Sequence, residues 1–226
     1  MRLGVLFSGG KDSTLALHIA EEKEEVACLI TLVSKNPESY MFHTPNINVT
    51  ALQARALGLR LVSVDTQGKK EEELADLKHA IVDAKNKFKI DGVVTGAVES
   101  VYQASRVQRI CNNLDLWCFN PLWKCDQKML LEMLIEKNFN VIISGVFAYP
   151  LDETWLGKQI NEQFIKRIVI LQEQYGISPS GEGGEIETTV LDAPLFTQKI
   201  AVTDSMIDWQ GSSGTFQIKR AKLVPK

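Results

Sequence analysis

Six short apolar, β-rich runs punctuate the chain: LGVLF (3–7), VACLITLV (26–33), LRLVSV (59–64), DGVVTG (91–96), LWCFN (116–120) and NVIISGVF (140–147). None alternates strictly, which is the pattern of strands covered on both faces. Amphipathic stretches separate them. Leu74, Leu77, Ile81, Val82 and Phe88 recur at helical spacing, as do Leu130, Met133 and Leu134, and these are core stripes rather than cofactor boxes. The strongest helix, GKQINEQFIKRIVILQEQYG, carries Ile160, Phe164, Ile168, Leu171 and Tyr175 on one stripe and ends at Gly176. The alternation predicts an α/β fold built on a doubly wound parallel sheet.

Beyond Gly176 the pattern changes. ISPSGEGGEIETTVLDAPLF is rich in Gly, Pro and acid and too irregular for a helix, and KIAVTDSMIDW and TFQIKRAKLV then flank the turn QGSSG as a hairpin. The chain therefore divides into residues 1–120, a doubly wound α/β unit, and 121–226, a smaller α+β unit, with the boundary at Pro121.

Composition narrows the function classes. The 226 residues are 45% hydrophobic and 23% charged, with a net charge of -3; a pI near 5.7 lacks the basic footprint of a nucleic-acid binder, so no direct nucleic-acid partner is expected. No apolar stretch approaches the roughly 18 residues of a membrane span, and MRLGVLF lacks a signal-peptide layout. A protein free in the cytoplasm is expected, with a homodimer as the commonest assembly for a protein of this size. Cys28, Cys111, Cys118 and Cys125 form no CxxC pair; the last three are spaced by seven, but Pro121 breaks any single helix across them, leaving small buried hydrophobes as the plain reading. His18 and His79 read as ordinary helix residues, whereas His43 in the loop SYMFHTPN is a candidate nucleotide or substrate contact.

The chemistry starts at LFSGGKDST (6–14), between the first strand and a helix. A Walker A loop needs Gly five residues before Gly10 and Ser or Thr after Lys11; Val5 and Asp12 stand there instead. A dinucleotide fingerprint needs a further glycine, and Ser13 to Ala16 contain none. What remains is a turn in which Ser8, Gly9, Gly10, Lys11, Asp12 and Ser13 let backbone N–H groups and a helix start approach an anion. Asp12 would repel a bare polyphosphate, so the pattern implies Mg²⁺ between them with Asp12 as a ligand. The plainer alternative is a tight turn with Asp12 or Ser13 as helix N-cap.

SGGKDS resembles the PP-loop of the N-type ATP pyrophosphatases, which implies a Rossmann-like fold and cleavage of ATP to AMP and pyrophosphate. Further stretches resemble one branch, the diphthine–ammonia ligase family: TGAVESVYQASRVQRICNNLDL (95–116), FNPLW with AYPLDETWLG (119–123 and 148–157), GEGGEIETTVLDAPLF (181–196), and SYMFHTPN (39–46). The resemblance covers nearly the whole chain. It implies ATP as a reactant, elongation factor 2 bearing diphthine as acceptor, and ammonium as nitrogen source; with Mg²⁺ beside Asp12, an acyl-adenylate is the expected way of joining them.

At the end of the fourth strand, Gly96, Glu99 and Ser100 are expected to face the PP-loop crevice. Arg106, a turn beyond, would reach phosphate or the acceptor carboxylate, unless it is a solvated helix arginine. In GEGGEIET the carboxylates of Glu182, Glu185 and Glu187 would receive a cation, ammonium or the trimethylammonio group of diphthine, unless the loop is merely solvated surface. Trp123, Trp155 and Tyr102 would add cation–π contacts or pack in the core. Two rival classes are another PP-loop enzyme such as a tRNA thiolase, which needs a basic face and a usable cysteine pair, and a non-catalytic nucleotide-binding module.

Overall fold

The computed structural model describes residues 1–34, 36, 45–68 and 72–226. Strands β1 (Arg2–Leu6), β2 (Glu25–Ser34), β3 (Arg60–Thr66), β4 (Gly92–Val94) and β5 (Trp117–Phe119) form one sheet in the order β3-β2-β1-β4-β5, every pair parallel. Parallel neighbours need crossovers. These are α1 (Lys11–Glu21), α2 (Thr50–Leu57, entered by a 3₁₀ turn at Ile47–Val49), α3 (Glu72–Phe88) and α4 (Val101–Asn113). From β1 the chain runs outward through β2 and β3, then returns to place β4 and β5 on the other side. The carboxyl ends of β1 and β4 therefore flank a topological switch point, where open α/β sheets bind ligands.

Side chains on β2 go to opposite faces, as strand geometry requires. Cys28, Ile30 and Leu32 pack with Leu77 and Ile81 of α3 and Val107 and Ile110 of α4. Leu29 turns the other way, into a core with Leu3, Val5, Leu15 and Leu17. The predicted doubly wound α/β architecture is what the chain adopts.

The second sheet contains β6 (Asn140–Val146), β7 (Ile186–Asp192), β8 (Lys199–Gln210) and β9 (Ser213–Val224), antiparallel in the order β7-β6-β9-β8. Helices α5 (Gln127–Glu136) and α6 (Glu162–Tyr175) accompany it. The apolar run at 140–147 thus belongs here and not to the parallel sheet, because a strand buried on both faces looks the same in either kind. Ile186–Asp192, inside the stretch that the sequence marks only as irregular, is also a strand. The hairpin forms with Gln210 opposite Ser213, leaving Gly211 and Ser212 in the turn, Gly211 at φ +65°.

Leu130, Leu134, Val141, Ile143, Phe164 and Ile168 join the same core as Leu3, Val5, Leu15 and Leu17. Each fully buried side chain of this kind stabilises the fold by about 1.5–3 kcal/mol, so the second unit is built onto one face of the first. Ser100, Asp126 and Asn161 cap α4, α5 and α6 with their own side chains, and Gly176 closes α6 at φ +72°. Helix α1 differs: its N-cap is Gly10, with no side-chain cap. No helix among the described residues is long and apolar enough to cross a membrane.

Candidate active site

The SGGKDS loop, residues 8–13, lies between β1 and α1 at the switch point. Neither Asp12 nor Ser13 caps the helix. Asp12 Oδ2 instead accepts from Lys11 Nζ at 2.7 Å, and the Ser13 hydroxyl donates to Gly10 O at 3.2 Å. The loop is held from outside its own sequence. Gln53 Nε2 donates to Gly9 O and to Val190 O, each at 2.8 Å, Val190 N–H donates to Gly9 O at 3.0 Å, and Lys11 N–H donates to Thr188 Oγ1 at 3.1 Å. Strand β7 of the second sheet is thus a buttress of the phosphate loop.

The loop at 181–185 stands opposite. Glu185 Oε1 accepts from Ser178 N–H at 2.9 Å, and Gln127 of α5 pins the segment by accepting from both the Ser180 amide (3.2 Å) and hydroxyl (2.9 Å). Between the loops opens a cleft of about 380 Å³. Its floor and one wall are Ser8, Gly10, Lys11, Asp12 and Ser13; Thr95, Gly96, Ser100 and Gln103 supply a second wall, and Glu182, Glu187 and Thr188 close the far side. Leu6, Phe7, Ile30, Leu32, Ile47 and Val107 make an apolar recess in the same cleft.

Among the described residues that line the cleft, charge is unbalanced, with one lysine against the carboxylates of Asp12, Glu182 and Glu187. Lys11 is 4% exposed. Burial pulls its pKa down, but the attraction of Asp12, Glu182 and Glu187 overcomes this and raises it above the ordinary lysine value, so it stays a cation. Burial, then repulsion from Asp12, pushes Glu182 up to about 7, against the pull of Lys11 and an amide hydrogen bond from Glu99. Burial likewise pushes Glu187 to about 7, opposed by Lys11 and reinforced by Asp12 and Glu182. Two carboxyls thus change charge near neutrality beside a fixed ammonium.

Residues 1–117 match the family model described as the diphthamide synthase N-terminal domain, and 126–224 the diphthamide synthase C-terminal domain. The chain belongs to the diphthamide synthase family. Among its relatives, a mouse protein named diphthine–ammonia ligase is 36% identical over 91% of this chain and 84% of its own. A rat relative of the same name is 35% identical over the same shares. A third, from Schizosaccharomyces pombe, is 33% identical over 100% of this chain and 40% of its own.

The cleft of this diphthamide synthase family member gathers most of the residues singled out in the sequence. Ser8, Gly10, Lys11, Asp12, Ser13, Gly96, Ser100 and Glu187 line it. Gly9 lies beneath the loop at φ +78°. Gly96 is there for closeness: a Cβ on it would stand 2.7 Å from Ser13 N and 2.8 Å from the Asp12 carbonyl carbon. Glu99, expected in the crevice, is exposed and outside the cleft lining, where it accepts from Gln127 Nε2 at 3.2 Å. Glu185 turns into its own loop rather than into the cleft. Arg106 stacks on Tyr102, 3.4 Å from the ring centroid, while Gln103 and Val107 of the same helix face the cleft. His43 lies outside the described residues.

Of the aromatics offered as cation–π contacts or core residues, none lines the cleft, and Trp155 takes the core alternative. Trp155 is buried against Phe164 with Arg167 over its ring, and Trp123 is exposed beside Lys124. Cys28 and Cys111 are buried, as small hydrophobes are, while Cys118 and Cys125 are half-buried, and none of the four lines the cleft. Gln53, Gln103, Gln127 and Thr188 were missed. Gln103 sits inside the Tyr-Gln-x-x-Arg-Val stretch and Thr188 follows the Glu-x-Glu run, so both lay within readable motifs; Gln53 and Gln127 carried no local signal.

Among the described residues no cluster of three or more His, Cys, Asp or Glu is arranged to hold a metal. That does not disqualify Mg²⁺, which is held by one or two carboxylates plus substrate phosphates. Asp12 Oδ1 is buried without a hydrogen-bond partner among the described residues, and Asp12 lines the cleft, so its carboxylate fits that requirement.

Proposed function

We propose that this ligase amidates the diphthine carboxylate of elongation factor 2 with ammonium, at the cost of ATP cleavage to AMP and pyrophosphate, through an acyl-adenylate. The observation that carries the reading is the meeting of Lys11 and the PP-loop amides with Glu182 and Glu187 in one cleft, an anion grip facing a cation receptor.

A carboxylate does not yield an amide with ammonia in water without a better leaving group, and transfer of AMP supplies one. The acceptor carboxylate attacks the α-phosphorus, and pyrophosphate leaves into the loop. Lys11, kept cationic by its carboxylate neighbours, and the positive end of the α1 dipole stabilise the growing negative charge. Asp12 Oδ1 would hold Mg²⁺, which supplies further charge neutralisation on the phosphates. The apolar recess around Phe7, Ile30 and Leu32 suits the adenine.

Ammonium is attracted to Glu182 and Glu187. A carboxylate with a pKa near 7 is basic enough to accept a proton as the nitrogen attacks the acyl carbon and AMP departs. Residues 1–120 hold the nucleotide, and 121–226 bring the acceptor and ammonium. The division is not clean, since Thr188 and Val190 also brace the loop. The cytoplasm, where elongation factor 2 works, is the compartment this implies.

The test is to incubate the protein with ATP, Mg²⁺, ammonium and diphthine-bearing elongation factor 2, then identify the nucleotide product. AMP and an amidated acceptor are expected, each dependent on the other. Release of ADP would overturn the mechanism.

A further inference from the structure

Helix α1 begins without a side-chain cap of its own, yet the amide of its first residue is not open to the cleft. Lys11 N–H donates to Thr188 Oγ1 at 3.1 Å, and Thr188 is 4% exposed and lines the cleft. A threonine hydroxyl has one proton and two lone pairs. Here the oxygen accepts, and the proton has no acceptor among the described residues. The contact is close by construction: a Cβ on Gly10 would lie 3.3 Å from Thr188 O and 3.4 Å from its Oγ1.

The geometry points to Thr188 as a substrate-contacting residue whose hydroxyl donates a hydrogen bond to the departing pyrophosphate. The amide polarises the oxygen and the hydroxyl passes the donor on, so the helix start reaches the anion through a side chain of the second sheet. Chained hydrogen bonds strengthen one another in this way. The pairing of Thr188 on the edge strand β7 with Ile143 on β6 holds the backbone that carries the hydroxyl, so the relay is in place before nucleotide arrives. The inference rests on the pyrophosphate-releasing reading of the cleft.

Binding of magnesium pyrophosphate, Mg-ATP and AMP is measured by calorimetry on the full chain and on Thr188→Val and Thr188→Ser. A hydrogen bond to a charged acceptor changes affinity by about tenfold or more. Thr188→Val is expected to weaken pyrophosphate and ATP by about that factor while leaving AMP unchanged, and Thr188→Ser is expected to restore both. Equal losses for AMP and pyrophosphate, or a serine variant no better than valine, would overturn the assignment. If Thr188→Val does not fold, Thr188→Cys, with a weak donor, takes its place with the same expectations. Failure of the unsubstituted protein to bind pyrophosphate or ATP would instead overturn the underlying reading of the cleft.

Discussion

Gln53 occupies the space where Gly9 lacks a side chain. A Cβ on Gly9 would stand 2.1 Å from Gln53 Oε1, while Gln53 Nε2 donates to Gly9 O and Val190 O at 2.8 Å each. Gln53 is 0% exposed and cannot simply swing away. Gly9→Ala therefore meets two costs, a φ of +78° and the displacement of a pinned amide. Strain at such a φ costs about 1–3 kcal/mol, and loss of the buried hydrogen bonds about 1–3 kcal/mol more. In a double-mutant cycle scored by urea unfolding, Gly9→Ala is expected to cost less in a Gln53→Ala background, leaving the φ strain alone. Additive losses would show that the two residues do not constrain each other.

Gly96 makes the corresponding approach from β4. Its missing Cβ would press on backbone, Ser13 N and the Asp12 carbonyl carbon, which cannot rotate out of the way. Gly96→Ala is expected to push the start of α1 off β4 at a cost of about 1–3 kcal/mol in stability. ATP affinity should drop more than tenfold, because the loop amides move with the helix. Titration with ATP alongside urea unfolding separates the two effects.

These contacts mark where the sequence stops being legible. SGGKDS could be placed at the end of β1 because its glycines, lysine and helix start are local and contiguous. The turn around Gly211 exposed the β8–β9 hairpin for the same reason. By contrast, the apolar run that becomes β6 carries no sign of which sheet it joins. Strand β7 was hidden because its glycine-rich approach dominates the window, although IETTVLD is itself β-branched. Gln53 acts on the SGGKDS loop across 44 positions, and a polar residue on a short helix gives no hint of so distant a partner; Thr188 stands in a readable motif, but its contact with Lys11, 177 positions away, does not show there.

His18 offers a stability signature separate from the site. It is 5% exposed, its Nδ1 lies 2.8 Å from Thr14 O, and its Nε2 accepts from Leu195 N–H at 3.2 Å. This arrangement requires the neutral ring, with the proton on Nδ1. Burial lowers its pKa from 6.5 to about 4, overriding the Thr14 contact. The folded pKa lies below the unfolded one, so the unfolded chain binds more protons between about pH 4 and 6.5 and stability falls on acidification through that window. The contribution is up to about 3 kcal/mol. Glu182 and Glu187, with raised folded pKa values, act in the opposite direction, losing stability as pH rises toward about 7. They are common to the His18→Gln variant and cancel in a comparison. The stability difference between the two proteins is expected to grow in favour of the unsubstituted chain as pH rises from 4 to 6.5, measured by urea unfolding at each pH. A difference independent of pH would show that His18 is not held neutral.

Glu187 carries the sharpest chemical prediction of the proposed mechanism. Its role is to attract ammonium and take a proton from it, so activity with ammonium should rise as the pH passes its pKa of about 7. Glu187→Gln removes both functions at nearly constant volume and is expected to slow amidation with ammonium by about 100-fold, within the range of general base catalysis. Hydroxylamine is largely an uncharged nucleophile near neutrality and needs neither function. The variant should therefore form the hydroxamate within a few-fold of the unsubstituted protein's rate, while exchanging pyrophosphate into ATP normally in the presence of acceptor. Equal losses with both nucleophiles, together with lost exchange, would move Glu187 from nitrogen capture to the adenylation step. Unimpaired activity with ammonium would remove it from the chemistry altogether.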